Sequence, residues 1–233
     1  MKVLITGSTK GIGKAITDVF APFATEIILT SRTLIDLEDQ KIELQKKYPE
    51  LKVHILAADF SHIEEVNYFC DFVSNLEFTI DILVNNAGIF LPGNILEESL
   101  EDHQTMMMVN FSSVYTLCRR LIPSMKSAGT GHIFNICSVA SLKAYSNGGS
   151  YSISKFALYG LTQNLREELK TFGVKVTAVL PGATWSNSWA GADLPDERLM
   201  DALDIAKCIF NAAQLSPAAC VEEIIIRPQL GDL

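Results

Sequence analysis

Two side chains that could exchange a proton with a substrate stand four residues apart, at Tyr151 and Lys155. The surrounding stretch has helical periodicity, so this spacing predicts that both side chains lie on one helix face. A tyrosine hydroxyl normally has a pKa of about 10, which is too high for ready proton exchange at neutral pH. Because a neighbouring ammonium favours the phenolate, we expect Lys155 to lower the pKa of Tyr151 and make it a general acid or base.

A hydroxyl group that could bind a substrate carbonyl is expected at Ser138. This serine precedes Tyr151 by 13 residues and closes a predicted strand, so its side chain can emerge at the carboxyl edge of a sheet. There it would hydrogen-bond the carbonyl oxygen and stabilise negative charge that develops on that oxygen during a reaction. The alternatives are an amphipathic surface pair for Tyr151 and Lys155 and an ordinary strand-end hydroxyl for Ser138.

A glycine-rich segment, TGSTKGIG at residues 6–13, lies between the first predicted strand and the first predicted helix. Its glycines permit a tight turn and a close approach of the backbone to a pyrophosphate, which the helix N-terminus would bind. The segment lacks the Gly-Lys-Ser/Thr ending of a P-loop, which disfavours a nucleotide triphosphatase. A plain glycine-rich turn is the alternative.

These motifs, taken in order, resemble the short-chain dehydrogenase/reductase family. The resemblance rests on TGSTKGIG, on Asn85-Asn86-Ala87-Gly88, on Ser138 and on Tyr151-x-x-x-Lys155, and it extends from residue 1 to about residue 228. It implies that Lys155 also holds the nicotinamide ribose and that Asn110 anchors a water between this lysine and solvent. A satisfied core asparagine is the alternative for Asn110. The catalytic set is therefore Ser138, Tyr151, Lys155 and Asn110.

The cofactor site follows partly from the motifs and partly from the resemblance, which places Asp59 at the adenine and Asn86 with Gly88 beside the adenosine ribose. The full set is Gly7, Ser8, Thr9, Lys10, Gly11, Ile12, Gly13, Arg32, Asp59, Asn86, Ala87, Gly88, Tyr151, Lys155, Pro181, Gly182 and Thr184.

The charges near the second predicted strand favour NADP(H) over NAD(H). An acidic residue at the strand end would accept the ribose hydroxyls of NAD, whereas a basic one pairs with the 2′-phosphate of NADP. Arg32 is basic, Lys10 adds a second cation in the glycine loop, and the first acid comes only at Asp36. Solvated surface charge is the alternative for both cations.

The substrate side is expected in the loop at residues 181–195. Its Pro181-Gly182-Ala183-Thr184 turn matches the family's turn beside the nicotinamide, but a family threonine often lies further on, where this chain has Ser186. Which hydroxyl meets the carboxamide therefore stays open. Trp185 and Trp189 could line an apolar pocket or pack at a subunit interface.

Composition excludes several other classes. The net charge of −8 argues against nucleic-acid binding, and the four scattered histidines form no compact metal-ligand motif. Five dispersed cysteines without a CxxC pair favour a reducing compartment. No apolar run reaches the length of a membrane helix, and the N-terminal run is too short for a signal peptide, so we expect a cytoplasmic protein.

The elements that must position these residues alternate between strand and helix. Strands are predicted at 2–6, 26–31, 52–57, 80–85, 131–138, 174–180 and 221–227, and helices at 11–23, 35–48, 63–77, 99–127, 150–172 and 196–214. This alternation predicts an α/β fold of the Rossmann type, in which one domain at residues 1–233 has a doubly wound, parallel, seven-stranded sheet with helices on both faces.

The expected function is hydride transfer between NADP(H) and a small carbonyl or secondary alcohol, carried out by a homo-oligomer, either a dimer or a tetramer. The C-terminal strand is not followed by the glycine-rich tail of many relatives, so the family's usual tetramer is in question, a dimer fits as well, and the choice between them stays open. Two alternatives are a reductase of 3-oxoacyl thioesters of the acyl carrier protein type and a non-catalytic NADP-binding sensor.

Overall fold

Seven parallel strands form one sheet in this computed structural model, which describes residues 1–185 and 195–231. They are β1 (Lys2–Thr6), β2 (Glu26–Ser31), β3 (Lys52–Ala57), β4 (Ile82–Asn85), β5 (Gly131–Ile136), β6 (Val174–Pro181) and β7 (Glu223–Ile226). Their order across the sheet is β3-β2-β1-β4-β5-β6-β7. The winding direction reverses between β1 and β4, and ligands of such sheets bind at this switch point. The predicted fold class is confirmed.

Helices cover both faces of the sheet. They are α1 (Gly11–Phe20), α2 (Leu34–Lys47), α3 (Ile63–Ser74), α4 (Leu100–Met107), α5 (Ser113–Ala128), α6 (Gly149–Leu169) and α7 (Ala202–Ala213). One hydrophobic cluster joins the sheet to α1, α2 and α7, and the other joins it to α3, α5 and α6. In β1, Val3 and Ile5 belong to the first cluster and Leu4 to the second. A strand covered on both faces in this way must be apolar at successive positions, as the sequence shows.

The predicted helix at 99–127 is interrupted. A π-helical turn, Met108–Ser112, joins α4 to α5. Such turns place an extra residue in the helix and occur frequently at functional sites. The final predicted helix is also divided, into a 3₁₀ turn at Asp196–Arg198 and α7, because the Asp201 side chain caps α7 by accepting from the Leu203 N–H.

Three strands are shorter than predicted. β4 begins two residues later, at Ile82, and β7 spans only four residues. β5 ends at Ile136, because the Cys137 N–H turns back to the Asn135 carbonyl at 3.0 Å. Ser138 therefore lies just beyond the strand, where its hydroxyl caps a 3₁₀ turn at Val139–Ser141.

Within the described ranges, no helix is both long enough and apolar enough to span a membrane. The same part of the chain contains no cluster of three or more His, Cys, Asp or Glu side chains that could hold a metal ion.

Candidate active site

A cleft of about 850 Å³ opens along the carboxyl ends of the strands. Every strand contributes to its wall at or just after its last residue, with Gly7, Ser31, Ala58, Asn86, Ile136, Pro181 and Arg227 as examples. Because the strands are parallel, residues from distant parts of the chain meet at this single edge.

Most of the predicted site residues line this cleft. They are Gly7, Thr9, Lys10, Gly11, Ile12, Arg32, Asp59, Asn86, Ala87, Gly88, Ser138, Tyr151, Lys155, Pro181, Gly182 and Thr184. Ser8, Gly13 and Asn110 are not part of the described wall. Ser186 and Trp189 lie outside the described residues. Trp185 is not among the described lining residues, and its backbone N–H donates to the Met200 carbonyl at 3.0 Å.

The glycine loop is packed too tightly for side chains at two positions. A Cβ on Gly13 would lie 2.0 Å from the Gly7 carbonyl oxygen, and Gly7 itself has φ +64°. The Asn86 side-chain amide donates to the carbonyls of Thr6 at 2.9 Å and Gly7 at 3.0 Å. Gly13 therefore shapes the loop from behind, and Asn86 ties it to the segment after β4.

The N-terminus of α1 faces the cleft without a side-chain cap. Lys10 is the N-cap residue and makes no capping hydrogen bond, while Gly11 and Ile12 line the cleft. The first-turn N–H groups of a helix have no intrahelical partner and carry partial positive charge. This uncapped turn, with its cradle that a Cβ would fill, fits a phosphate group.

Ser8 supports the loop from the protein interior. It is fully buried, its hydroxyl donates to the Gln40 side-chain oxygen at 3.1 Å, and Gln40 donates back to the Ser8 carbonyl at 2.8 Å. The structure thus places Ser8 behind the wall, linked to α2, rather than at the cleft surface expected from the sequence.

Charged groups cluster at the end of the cleft near β2. The Lys10 ammonium pairs with the Asp36 carboxylate at 2.9 Å. Burial alone would raise the pKa of Asp59, but hydrogen bonds from Ser61 and the positive charges of Arg32 and His62 lower it overall. Asp59 is therefore ionised at neutral pH, and the positive charge of Arg32 is close enough to stabilise its carboxylate.

Ser138 and Tyr151 both line the cleft, and the Ser138 side chain is placed to act as a hydrogen-bond partner that lowers the pKa of Tyr151. Burial raises the pKa of Tyr151, the Ser138 hydrogen bond opposes this shift, and the nearby Cys137 adds to it. The expectation that Lys155 lowers this pKa is therefore wrong for the structure, because desolvation outweighs every favourable contact. At neutral pH Tyr151 carries its proton.

Lys155 is a buried ammonium that contacts the end of β5. Its Nζ donates to the Ile136 carbonyl at 2.8 Å and lies 5.8 Å from the centre of the Tyr151 ring. Burial lowers the pKa of Lys155 to about 8, with Cys137 opposing the shift. The side chain thus remains mostly protonated at neutral pH and places a positive charge at the wall of the cleft.

Asn110 lies in the π-helical turn and is fully buried. Its Oδ1 accepts from the Ile89 N–H at 2.8 Å, while its Nδ2 donates to the Ile89 carbonyl at 2.9 Å and the Ser154 hydroxyl at 3.0 Å. A Cβ on Gly88 would lie 3.3 Å from Asn110 Oδ1 and 3.5 Å from Lys155 Nζ. Asn110 therefore joins the segment after β4 to α6, close to the lysine but behind the wall.

Sequence reasoning missed two aromatic residues of the cleft. The Phe90 ring packs edge-on against the Tyr151 ring, with centroids 5.0 Å apart and planes at 76°. Burial raises the pKa of Tyr145 to about 12, with a further contribution from Tyr151. Their only sequence signal is their position, two residues after Gly88 and six before Tyr151.

Comparisons with known proteins agree with this geometry. A family model described as short chain dehydrogenase matches residues 1–194. Sepiapterin reductase of Chlorobaculum tepidum is 35% identical over 239 aligned positions, which cover 99% of this chain and 97% of that protein.

Two solved structures have the same fold. A metagenomic short-chain oxidoreductase in complex with NADP has a TM-score of 0.85 and 28% identity, over 98% of this chain and 97% of that one. An alcohol dehydrogenase from Thermococcus sibiricus, complexed with 5-hydroxy-NADP, has a TM-score of 0.88 and 26% identity, over 98% of this chain and 96% of that one.

Proposed function

Because this chain belongs to the short-chain dehydrogenase/reductase family, we propose that it reduces a small carbonyl compound to an alcohol with NADPH, and catalyses the reverse reaction with NADP⁺. The observation that carries this proposal is the meeting of Ser138, Tyr151 and Lys155 with the glycine loop in one cleft.

The cleft has the features that an NADP cofactor requires. The uncapped turn of α1 and the tight glycine loop would hold the pyrophosphate. Arg32 and Lys10 would meet the 2′-phosphate, and Lys155 would hold the nicotinamide ribose. NADP and 5-hydroxy-NADP in the two solved relatives support this choice. When bound, NADPH supplies the hydride.

The protonation states of the site suit carbonyl reduction. The Ser138 hydroxyl would donate a hydrogen bond to the carbonyl oxygen and stabilise the charge that develops there. The raised pKa of Tyr151 keeps its proton in place at neutral pH, ready for transfer to the nascent alkoxide oxygen. The Lys155 ammonium would then stabilise the resulting phenolate. Asn110 would fix the segment after β4 against α6, which carries both residues.

We further propose a single domain and a cytoplasmic, homo-oligomeric protein. Both hydrophobic clusters pack on one sheet, which supports the single domain. The five free cysteines fit a reducing compartment.

The deciding experiment is a carbonyl panel assayed with NADPH and with NADH. It should contain simple ketones, keto acids, a 3-oxoacyl thioester and sepiapterin, the last because of the 35% identical relative. We expect turnover of at least one compound and a preference for NADPH. Activity confined to the thioester would favour the acyl reductase, whereas cofactor binding without turnover of any member would favour the sensor.

A further inference from the structure

The helix that carries Tyr151 and Lys155 begins without a cap of its own. The N-cap position of α6 is Gly148, which has no side chain, and the first turn leads directly into the fully buried Ser150. Buried N–H groups in a first helical turn require an acceptor from elsewhere. The acceptor here comes from a segment about 50 residues earlier in the chain.

Glu98 supplies that acceptor with both of its carboxylate oxygens. Oε2 accepts from the Ser150 N–H at 3.2 Å, and Oε1 accepts from the Ser150 hydroxyl. The fit is close, because a Cβ on Gly149 would lie 2.8 Å from Glu98 Oε2 and 2.5 Å from the Gly93 carbonyl oxygen. A carboxylate at a helix N-terminus is also favoured by the helix dipole.

His103 of α4 completes the contact. Its Nδ1 lies 2.7 Å from the Ser150 hydroxyl oxygen. A hydroxyl has a single proton, and Ser150 gives it to Glu98, so His103 Nδ1 must carry a proton and donate. Three parts of the chain thus meet at Ser150. They are the segment that follows β4, helix α4 and helix α6.

The same segment also holds the Tyr151 ring. Phe90 packs edge-on against it, while Glu98 fixes the backbone of the preceding residue. Proton transfer to a substrate requires the donor to be placed within a fraction of an ångström, and displacements of about 1 Å can cost about 100-fold in rate.

We propose that Glu98, acting through Ser150 with His103 as the second support, is a positioning residue for Tyr151. Glu98 lies outside the described wall of the cleft, so it acts on the reaction only through the geometry of α6. This inference rests on the proposed function, because it assigns Tyr151 the role of proton donor.

The test compares Glu98→Gln with Glu97→Gln in the full chain. Glu97 is the adjacent acid; its side chain is exposed, and its Oε2 accepts a local hydrogen bond from the Asn94 side chain at 3.0 Å. Glu98→Gln presents an amide N–H₂ where an acceptor is needed. We expect kcat to fall by about 10- to 100-fold, with the Kd for NADPH changing less than about twofold because the glycine loop and Lys155 are untouched. Glu97→Gln should match the wild type in both quantities.

Hydrogen–deuterium exchange of the peptide covering residues 148–155 provides a readout that does not depend on turnover. Glu98→Gln should lose protection there. Ser150→Ala removes the hydroxyl but keeps the backbone N–H of residue 150 with Glu98 as its acceptor. This variant should therefore lose less protection than Glu98→Gln, and its kcat should fall less. Unchanged protection in Glu98→Gln would overturn the cap, and lost protection with wild-type kcat would overturn the positioning role. A wild type without turnover on any carbonyl would refute the proposed function instead, while the exchange data would still decide whether Glu98 holds the first turn.

Discussion

Lys10 and Asp36 form an ion pair of 2.9 Å at the end of the cleft where the cofactor's 2′-phosphate is expected. Both side chains are partly exposed, at 58% and 30%, so the pair contributes modestly to stability. Its importance lies in what it does to Lys10, because an ammonium shared with a carboxylate is a weaker partner for a phosphate.

Asp36→Asn should therefore strengthen NADPH binding. Releasing Lys10 from a surface ion pair is expected to improve the Kd by about two- to fivefold, with little change for NADH. Titration of both cofactors at fixed ionic strength measures this effect, with Asp39→Asn, an exposed acid of the same helix, as the control. A weaker affinity for NADPH in Asp36→Asn would contradict the expectation.

Arg32→Ala should weaken NADPH more than Lys10→Ala does. Charge-assisted hydrogen bonds contribute about 1.5 to 3 kcal/mol, so loss of Arg32 should cost roughly 10- to 150-fold in affinity. Lys10 is already paired with Asp36, so its removal should cost less affinity for NADPH. Equal losses for NADH and NADPH would mean that neither cation reads the 2′-phosphate.

Tyr151→Phe should retain NADPH binding and lose turnover by about 100-fold or more, as expected for a general acid. Tyr159→Phe is the matched control, because this tyrosine lies on the same helix and its hydroxyl contacts Glu223 outside the described cleft wall. Single-turnover kinetics with the substrate found in the panel measures both. A Tyr151→Phe variant with near-normal kcat would assign the proton to another donor.

The pKa of about 8 at Lys155 predicts a pH dependence of cofactor binding. The free protein loses this positive charge as pH rises through the pKa, whereas bound anionic NADPH favours the charged form. Affinity should thus be level at neutral pH and fall above about pH 8, by at most about tenfold per pH unit. Lys155→Met should bind more weakly and show no such decline. A decline that persists in Lys155→Met would belong to another group.

Gly13→Ala should weaken NADPH binding, whereas Gly160→Ala should raise the free energy of unfolding. The first places a Cβ 2.0 Å from the Gly7 carbonyl oxygen, so the loop must move and NADPH affinity should fall. The second lies in α6 with nothing within 4 Å of its Cβ, so it should stabilise the protein by about 0.5 to 1 kcal/mol through helix propensity. Thermal unfolding and NADPH titration test both, and an unchanged affinity in Gly13→Ala would refute the packed loop.

His132 should make the protein acid-sensitive. Its Nε2 lies 2.7 Å from the Thr177 hydroxyl oxygen, which donates to the Val221 carbonyl, so Nε2 must carry the proton. Nδ1 has no hydrogen-bond partner among the described residues, and burial, with the charge of Lys175, lowers the pKa of His132 to about 3.

An unfolded histidine has a pKa of about 6.5 and so binds more protons than the folded one below that pH. The free energy of unfolding should therefore fall from about pH 6.5 downward, by up to about 1.4 kcal/mol per pH unit. Urea unfolding at several pH values should show a shallower decline in His132→Gln, while His62→Gln, at an exposed histidine, keeps the wild-type slope. Identical slopes in all three proteins would place the acid sensitivity elsewhere.

The sheet could be predicted from the sequence because its signal is local. Strands buried on both faces must be continuously apolar, as Val3, Leu4 and Ile5 are, and helices between them have their own period. The π-helical turn at Met108–Ser112 leaves no such signal, since its apolar residues fit an ordinary helix equally well.

Contacts across the chain were also hidden from the sequence. Three such contacts join positions that are 26 to 52 residues apart in the sequence, and only the folded sheet brings them together. They are the contacts of Gln40 with Ser8, of Asp36 with Lys10 and of Glu98 with Ser150. The pKa of Tyr151 was predicted in the wrong direction for a related reason. Sequence spacing shows the nearby Lys155, but it does not show how completely the hydroxyl is desolvated.

The strand order has a consequence for how the protein can be synthesised. β2 pairs with β1, β3 with β2, β4 with β1, and each later strand with the one before it, so every strand joins an edge that an earlier strand already offers. A chain leaving the ribosome can therefore build this sheet outward in the order of translation, without inserting a strand between paired neighbours. The glycine loop, its Asn86 tether and the first five strands are all synthesised before α6, so the part of the cleft against which Tyr151 and Lys155 pack already exists when their helix is made.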